Sequence, residues 1–277
     1  MATTEFNLFR IKFIRPSQTD FLHETEKTPG DFFIAAMRDK PSFEHRKRYI
    51  WHIGNLVFFT QTTGSFAVGR TSKSTVELYD EESKNFIEAD HKESPFTQCL
   101  FDSELGIVVI AKKSALNQDT TKIAEKIEAL LSQNDDIFSN DIRVEVSPIP
   151  DPIGFIKQLS TASLIRRFTA HFGGPNPFDA DEYFQHPMSV YLSHANGEEG
   201  VTTISGENLD NNTVTEVAKS TAATGNKASA RIKRFKSSKP ETIHLKGNPV
   251  KRRIDEGKFG PEAILKKFQK IYHDIRH

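Results

Sequence analysis

Near the start of the chain, Phe9, Ile11 and Phe13 alternate with Arg10 and Lys12. Period-two alternation belongs to a strand, because successive side chains leave opposite faces of the pleat. The expectation is a half-buried strand closed by Pro16, with the three apolar residues on a core and Arg10 and Lys12 in water. The next segments keep the same character. Residues 48–63, RYIWHIGNLVFFTQTT, read as two strands around Gly54-Asn55. SFAVGR and TVELYD add further strand, and the apolar run 107–110 reads as a strand buried on both faces.

Helical spacing interrupts this pattern in a few places. Residues 31–40 form a short helix before Pro41. Asp119 or Thr120 caps a helix whose stripe is Ile123, Ile127, Leu130 and Leu131. Ile142, Val144 and Val146 define one more strand. The first 150 residues therefore read as an α+β domain, an antiparallel or mixed sheet with helices.

Beyond Asp151 and Pro152, residues Ile153, Ile156, Leu159, Leu164 and Phe168 keep helical spacing up to Gly173-Gly174-Pro175. This predicts a bridging helix at about 152–172 leading into a second α+β domain, residues 151–277. That domain is read as a short helix around DADEYF, a helix from about Val214 to Gly225, three short basic strands, and a final helix beginning at Pro261.

Charge divides the chain in the same region. The whole sequence is neutral, with 37 Lys and Arg against 37 Asp and Glu, yet residues 227–277 hold 15 basic and 5 acidic residues, a net of +10. The first 226 residues carry the matching −10. Such asymmetry marks a polyanion-binding end, unless the basic end docks on the acidic remainder of its own fold. Ten cations fall within residues 227–253: Lys227, Arg231, Lys233, Arg234, Lys236, Lys239, Lys246, Lys251, Arg252 and Arg253, with Glu241 the one acid among them. On strands separated by Gly and Pro turns they form a basic face matched to a phosphate backbone. Phosphate contacts give affinity without sequence information. With no zinc finger, basic zipper or recognition-helix signature, the partner expected is DNA bound without sequence preference.

Catalytic and metal motifs are scarce. The sequence has no Walker loop, no G-x-G-x-x-G, no H-E-x-x-H and no G-x-S-x-G. No cofactor, catalytic or metal residue is assigned. Cys99, the single cysteine, sits among apolar neighbours and reads as an inert core thiol in a reducing, cytoplasmic setting. His186 and His194 read as surface histidines and not as ligands. One enzymatic alternative is a metal-dependent nuclease using Asp151 with Glu256-x-Lys258. Another is an interaction module for an acidic protein. No apolar run approaches a membrane span, so no membrane insertion is expected.

The order RYIWHIGNLVFFTQTT, ELGIVVIAKK, helix, IRVEVSPI resembles the first half of the Rex exclusion protein A of lambda-like prophages. The stretch PNPFDADEYF and residues 206–235 resemble bacterial and prophage proteins of antiviral defence. The resemblance implies a cytoplasmic protein that binds DNA, forms a homodimer and helps abort phage infection with a partner effector. The expectation adopted is a non-enzymatic DNA-binding protein of anti-phage defence, and a phage protein is the partner expected of the interaction-module alternative.

Overall fold

The computed structural model describes residues 3–14, 27–45, 49–80, 82, 84–173, 184–195, 197 and 199–276. The expected helix around DADEYF lies outside these, apart from Phe184. The fold is α+β with two antiparallel sheets.

The larger sheet begins with β1 (Thr3–Ile14). It adds β2 (Ser42–His45), β3 (Tyr49–Phe58), β4 (Thr63–Asp80), β5 (Asn85–Glu93), β6 (Phe96–Asp102), β7 (Ile107–Ala111) and β8 (Arg143–Pro148). Helices α1 (Pro29–Arg38), α2 (Thr120–Leu131) and α3 (Asp135–Ser139) cover one of its faces. Of the two candidate caps, Asp119 is the one that caps α2, accepting from the Thr121 amide at 2.9 Å. β7 is buried throughout, and Cys99 is a buried free thiol whose pKa burial pushes upward.

The smaller sheet contains β9 (Leu164–Gly173), β10 (Glu199–Ser205), β11 (Ala228–Lys233) and β12 (Glu241–His244), in the order β10-β9-β11-β12. Helices α4 (Ile153–Thr161), α5 (Gln185–His194) and α6 (Asn211–Ala223) belong to this half. The chain then returns. β13 (Lys251–Asp255) pairs with β1 at the edge of the larger sheet, and α7 (Pro261–Arg276) packs below it. One core cluster runs from Phe6 and Leu8 through Phe168, Ala222 and Ile243 to Phe268 and Ile275. The boundary expected at residue 150 therefore separates β8 from α4, but both sides of it build a shared core.

Three sequence expectations change. First, residues 152–172 are not one helix. α4 stops at Thr161, and β9 follows after Ala162 and Ser163. The register of β9 on β11 shifts at Arg231/Ile232, so that Ile232 faces Ile165 and Arg231 faces Arg167. This irregularity separates Ile165 from Phe168 by three residues and imitates helical spacing. Second, Gly54-Asn55 is an irregularity inside one strand, β3, with Asn55 at φ +50°, and not a turn between two strands. Third, Arg10 and Lys12 are not in water. They are 0% and 4% exposed.

β1 is covered on both faces. Phe9, Ile11 and Phe13 enter the core beneath α1 and α2, while Phe6 and Leu8 enter the core shared with α6 and α7. Arg10 continues the second face, donating from Nη1 to the Tyr272 hydroxyl at 2.8 Å. Its guanidinium carbon lies 5.5 Å from the Tyr272 ring centroid. Lys12 comes next on that face, and burial holds its ammonium below the usual lysine pKa. Glu145 and Glu199 oppose that shift, and Arg10 and Arg143 add to it.

Below its lowered pKa, folded Lys12 carries a desolvated charge that the unfolded chain keeps in water. As pH rises through that pKa, the folded state loses its proton first, and stability rises until the unfolded lysine also titrates. Lys12→Met should therefore stabilise the fold at neutral pH by on the order of 1 kcal/mol and raise the melting midpoint accordingly. The gain should shrink as pH climbs toward the ordinary lysine value. Thermal melts of both proteins from pH 7 to alkaline pH test this; a gain that grows with pH contradicts it.

Candidate nucleic-acid interface

The smaller sheet buries one face and opens the other. Its inner face presents Ile165, Phe168, Ala170, Ala228, Ala230, Ile232, Ile243 and Leu245. These pack on Phe155 and Leu159 of α4 and on Val214, Ala218, Ala222 and Ala223 of α6. No described element lies over the outer face. Strand alternation then places Val201, Thr203 and Ser205 of β10 beside Arg167, Thr169 and His171 of β9. Ser229 and Arg231 of β11 and Thr242 and His244 of β12 complete the rows.

Two local features set this surface. α6 ends in a Schellman motif, with Asn226 N–H donating to the Thr221 carbonyl and Gly225 N–H to the Ala222 carbonyl, both at 2.9 Å. Gly225 takes φ +74°, which turns the chain into β11 and sets Lys227 at its entrance. Across β11, Arg231 lies directly opposite Arg167 on one side and Thr242 on the other. Both arginines are exposed. Arg167 donates weakly from Nε to Ser205 Oγ at 3.4 Å, and the Thr169 and Thr203 hydroxyls meet at 3.0 Å. Among the described residues, neither arginine is paired with a carboxylate within 4.0 Å.

The ten sequence-predicted cations divide into groups. Lys227 and Lys246 sit at one end of the smaller sheet, because Leu245 N–H donates to the Ala228 carbonyl at 2.9 Å. Arg231 occupies the middle. Lys233, half-buried, ends β11, so Arg234 and Lys236 lie beyond the strand. They lie with Lys239 in the connection to β12, where Ser238 Oγ donates to the Phe235 carbonyl at 2.8 Å. Arg234 is spent on an ion pair with Glu241. Lys251, Arg252 and Arg253 lie elsewhere, exposed on β13 at the edge of the larger sheet. Arg253 lies 3.9 Å from Glu5 there. Charge on an open edge also blocks strand addition by another chain.

The nuclease candidates do not meet. Asp151 lies beside the Pro150–Pro249 bridge that precedes β13, and its Oδ1 accepts from the Ile153 amide at 3.1 Å. Glu256 follows the far end of β13, roughly 20 Å away at the rise of a strand. Lys258 lies 3.9 Å from Asp255, whose Oδ1 accepts from the Gly257 amide at 3.0 Å and closes a turn. His186 and His194 are exposed on α5, and no cluster of three His, Cys, Asp or Glu side chains fit for a metal occurs among the described residues.

Arg167 was missed by sequence reasoning because residues 162–172 read as helix. Taken as a strand, they set Arg167, Thr169 and His171 on one side, which was the available signal. No family model matches the chain, and no curated protein is significantly similar to it.

Like charges directly opposite each other on adjacent strands cost stability. Arg231→Glu should replace that repulsion with an ion pair and raise stability by about 0.2–1 kcal/mol. Urea unfolding measures it. A clear loss of stability would mean that Arg231 has a structural role in the sheet.

Proposed function

We propose that this protein binds DNA without sequence preference, gripping the phosphate backbone on the open face of its smaller sheet. The observation that carries the proposal is the Arg167–Arg231 pair: two exposed arginines directly opposite each other on adjacent strands, with no carboxylate within 4.0 Å of either among the described residues. Such a pair works against the fold unless a polyanion joins it. The hydroxyls of Thr169, Thr203, Ser205 and Ser229 stand on the same face and can donate to phosphate oxygens. Lys227 and Lys246 extend the row toward one end, and Lys233, Lys236 and Lys239 toward the other. The β13 cations form a separate strip on the larger sheet.

Binding, and not catalysis, is the role proposed. The biological part rests on the resemblance to Rex exclusion protein A: a cytoplasmic protein in anti-phage defence, acting with an effector or phage protein partner. A homodimer fits the open edge at β10. That strand has no Lys, Arg or Pro to discourage pairing and leaves Val201 and Ile204 56% and 46% exposed. Among the described residues, no helix is long and apolar enough to cross a membrane.

Fluorescence anisotropy with a labelled duplex, titrated with salt, tests the reading. The wild-type affinity should fall linearly on a log–log plot. Arg167→Ala with Arg231→Ala should weaken binding to unrelated sequences alike and lower the slope by about two, one unit per lost phosphate contact. Lys251→Ala, Arg252→Ala and Arg253→Ala together should do less. No binding at low salt, or an unchanged slope in the double variant, would defeat the proposal. An acidic protein that binds this face while DNA does not would favour the interaction-module alternative.

A further inference from the structure

Lys12 has no part in the DNA-binding reading, yet it is a buried cation. It is 4% exposed, and among the described residues no hydrogen bond or ion pair within 4.0 Å holds its ammonium, Glu145 and Glu199 acting on it only at longer range. An ammonium carries three donors, which are open to a ligand in the space that it faces. Lys12 lines a cleft of about 240 Å³ where the β1–β8 pair meets the end of the smaller sheet. Ser147 lines the same cleft, and its hydroxyl is buried with no hydrogen-bond partner.

We propose that this cleft binds a small phosphorylated, hydroxyl-rich molecule of the sugar phosphate class, its phosphate held between Lys12 and Ser147. The register supports a shared target. Lys12 pairs with Glu145 and Arg10 with Ser147, so Lys12 and Ser147 are diagonal neighbours on one face, about 7–8 Å apart at the backbone. An anion of several oxygens fits between such positions and accepts from both. Arg143 and Lys227, which also line the cleft, add positive charge. Glu145 and Glu199 line it too, and carboxylates accept from the hydroxyls of a polyol. The volume lies just below the usual range for ligand sites and suits a compact molecule. Gly225 keeps the space open: a Cβ there would lie 2.8 Å from Ser147 Oγ.

The site joins both sheets, so its occupant would bridge β1 and β8 to β9, β10 and the start of β11. It is distinct from the Arg167–Arg231 pair, although Lys227 and His171 border both the cleft and the open face.

The test is calorimetry and thermal melting of the full chain with ribose 5-phosphate, inorganic phosphate and ribose, at constant ionic strength. Ribose 5-phosphate should raise the melting midpoint saturably, inorganic phosphate should raise it less, and ribose not at all. Lys12→Met should lose the shift while melting no lower than wild type without ligand. Ser147→Ala should weaken binding about tenfold, the worth of one hydrogen bond to a charged group. Arg167→Ala with Arg231→Ala should leave it unchanged. If Lys12→Met does not fold, Ser147→Ala decides. The proposal is overturned by no shift with either phosphate compound, by full binding in Ser147→Ala, or by loss of binding in the Arg167/Arg231 variant. Inorganic phosphate binding as tightly as the ester would also overturn it, by removing any role for the sugar.

Discussion

β1 is enclosed along residues 6–13. It pairs with β7 over Phe6–Arg10 on one edge and with β13 followed by β8 on the other, and residues 6–13 are buried on both faces. The change of partner occurs at Leu8, whose N–H donates to the Val250 carbonyl at 2.9 Å and whose carbonyl accepts from Ile149 N–H at 3.1 Å. The first strand is thus completed only by the last sixth of the chain. Burying β1 requires β13 and α7 to return, and Tyr272 gives Arg10 a partner inside that shared core. A buried guanidinium is tolerable only with hydrogen bonds of this kind. Gln269 of α7 adds a second anchor, donating to Asp102 at 2.7 Å.

That return settles which surfaces remain open. The helices beside the smaller sheet are drawn to its apolar inner side, where they join the core that includes Phe6 and Leu8. The outer side is left with short polar side chains and arginines. The net charge of −10 over the first 226 residues does not neutralise this face, since Arg167 and Arg231 have no carboxylate partner among the described residues. Part of the basic excess is nevertheless absorbed internally. Arg234 binds Glu241, Lys266 binds Glu262 at 2.8 Å, and Lys267 lies 3.1 Å from the centroid of the Phe259 ring. Charge counting alone therefore overstates the cationic surface, and geometry selects the residues that stand free.

Much of the architecture is legible in the sequence because it is local. Alternation finds β1 and β8, a continuous apolar run finds β7, and caps find α2 and the end of α6. The failures share a cause. An irregular pairing inserts a residue into the period, as at Arg231/Ile232 and again between Gly54 and Val57, and a strand then imitates a helix or a turn. Arg10 and Lys12 fail differently. Alternation correctly assigns them a common face, but what covers that face arrives from β8, α6 and α7, far along the chain. The candidate interface was legible in half: Lys227, Arg231 and Lys246 from charge density, but not Arg167, whose position depends on the β9–β11 register.

The central claim is that DNA lies across β9 and β11. Photocrosslinking of the full chain to a bromodeoxyuridine-substituted duplex at low salt, with mass-spectrometric mapping, addresses it most directly. Crosslinks should concentrate on peptides covering residues 164–173, 227–233 and 241–246. Crosslinks confined to residues 251–258 or to α7, with those peptides untouched, would contradict it.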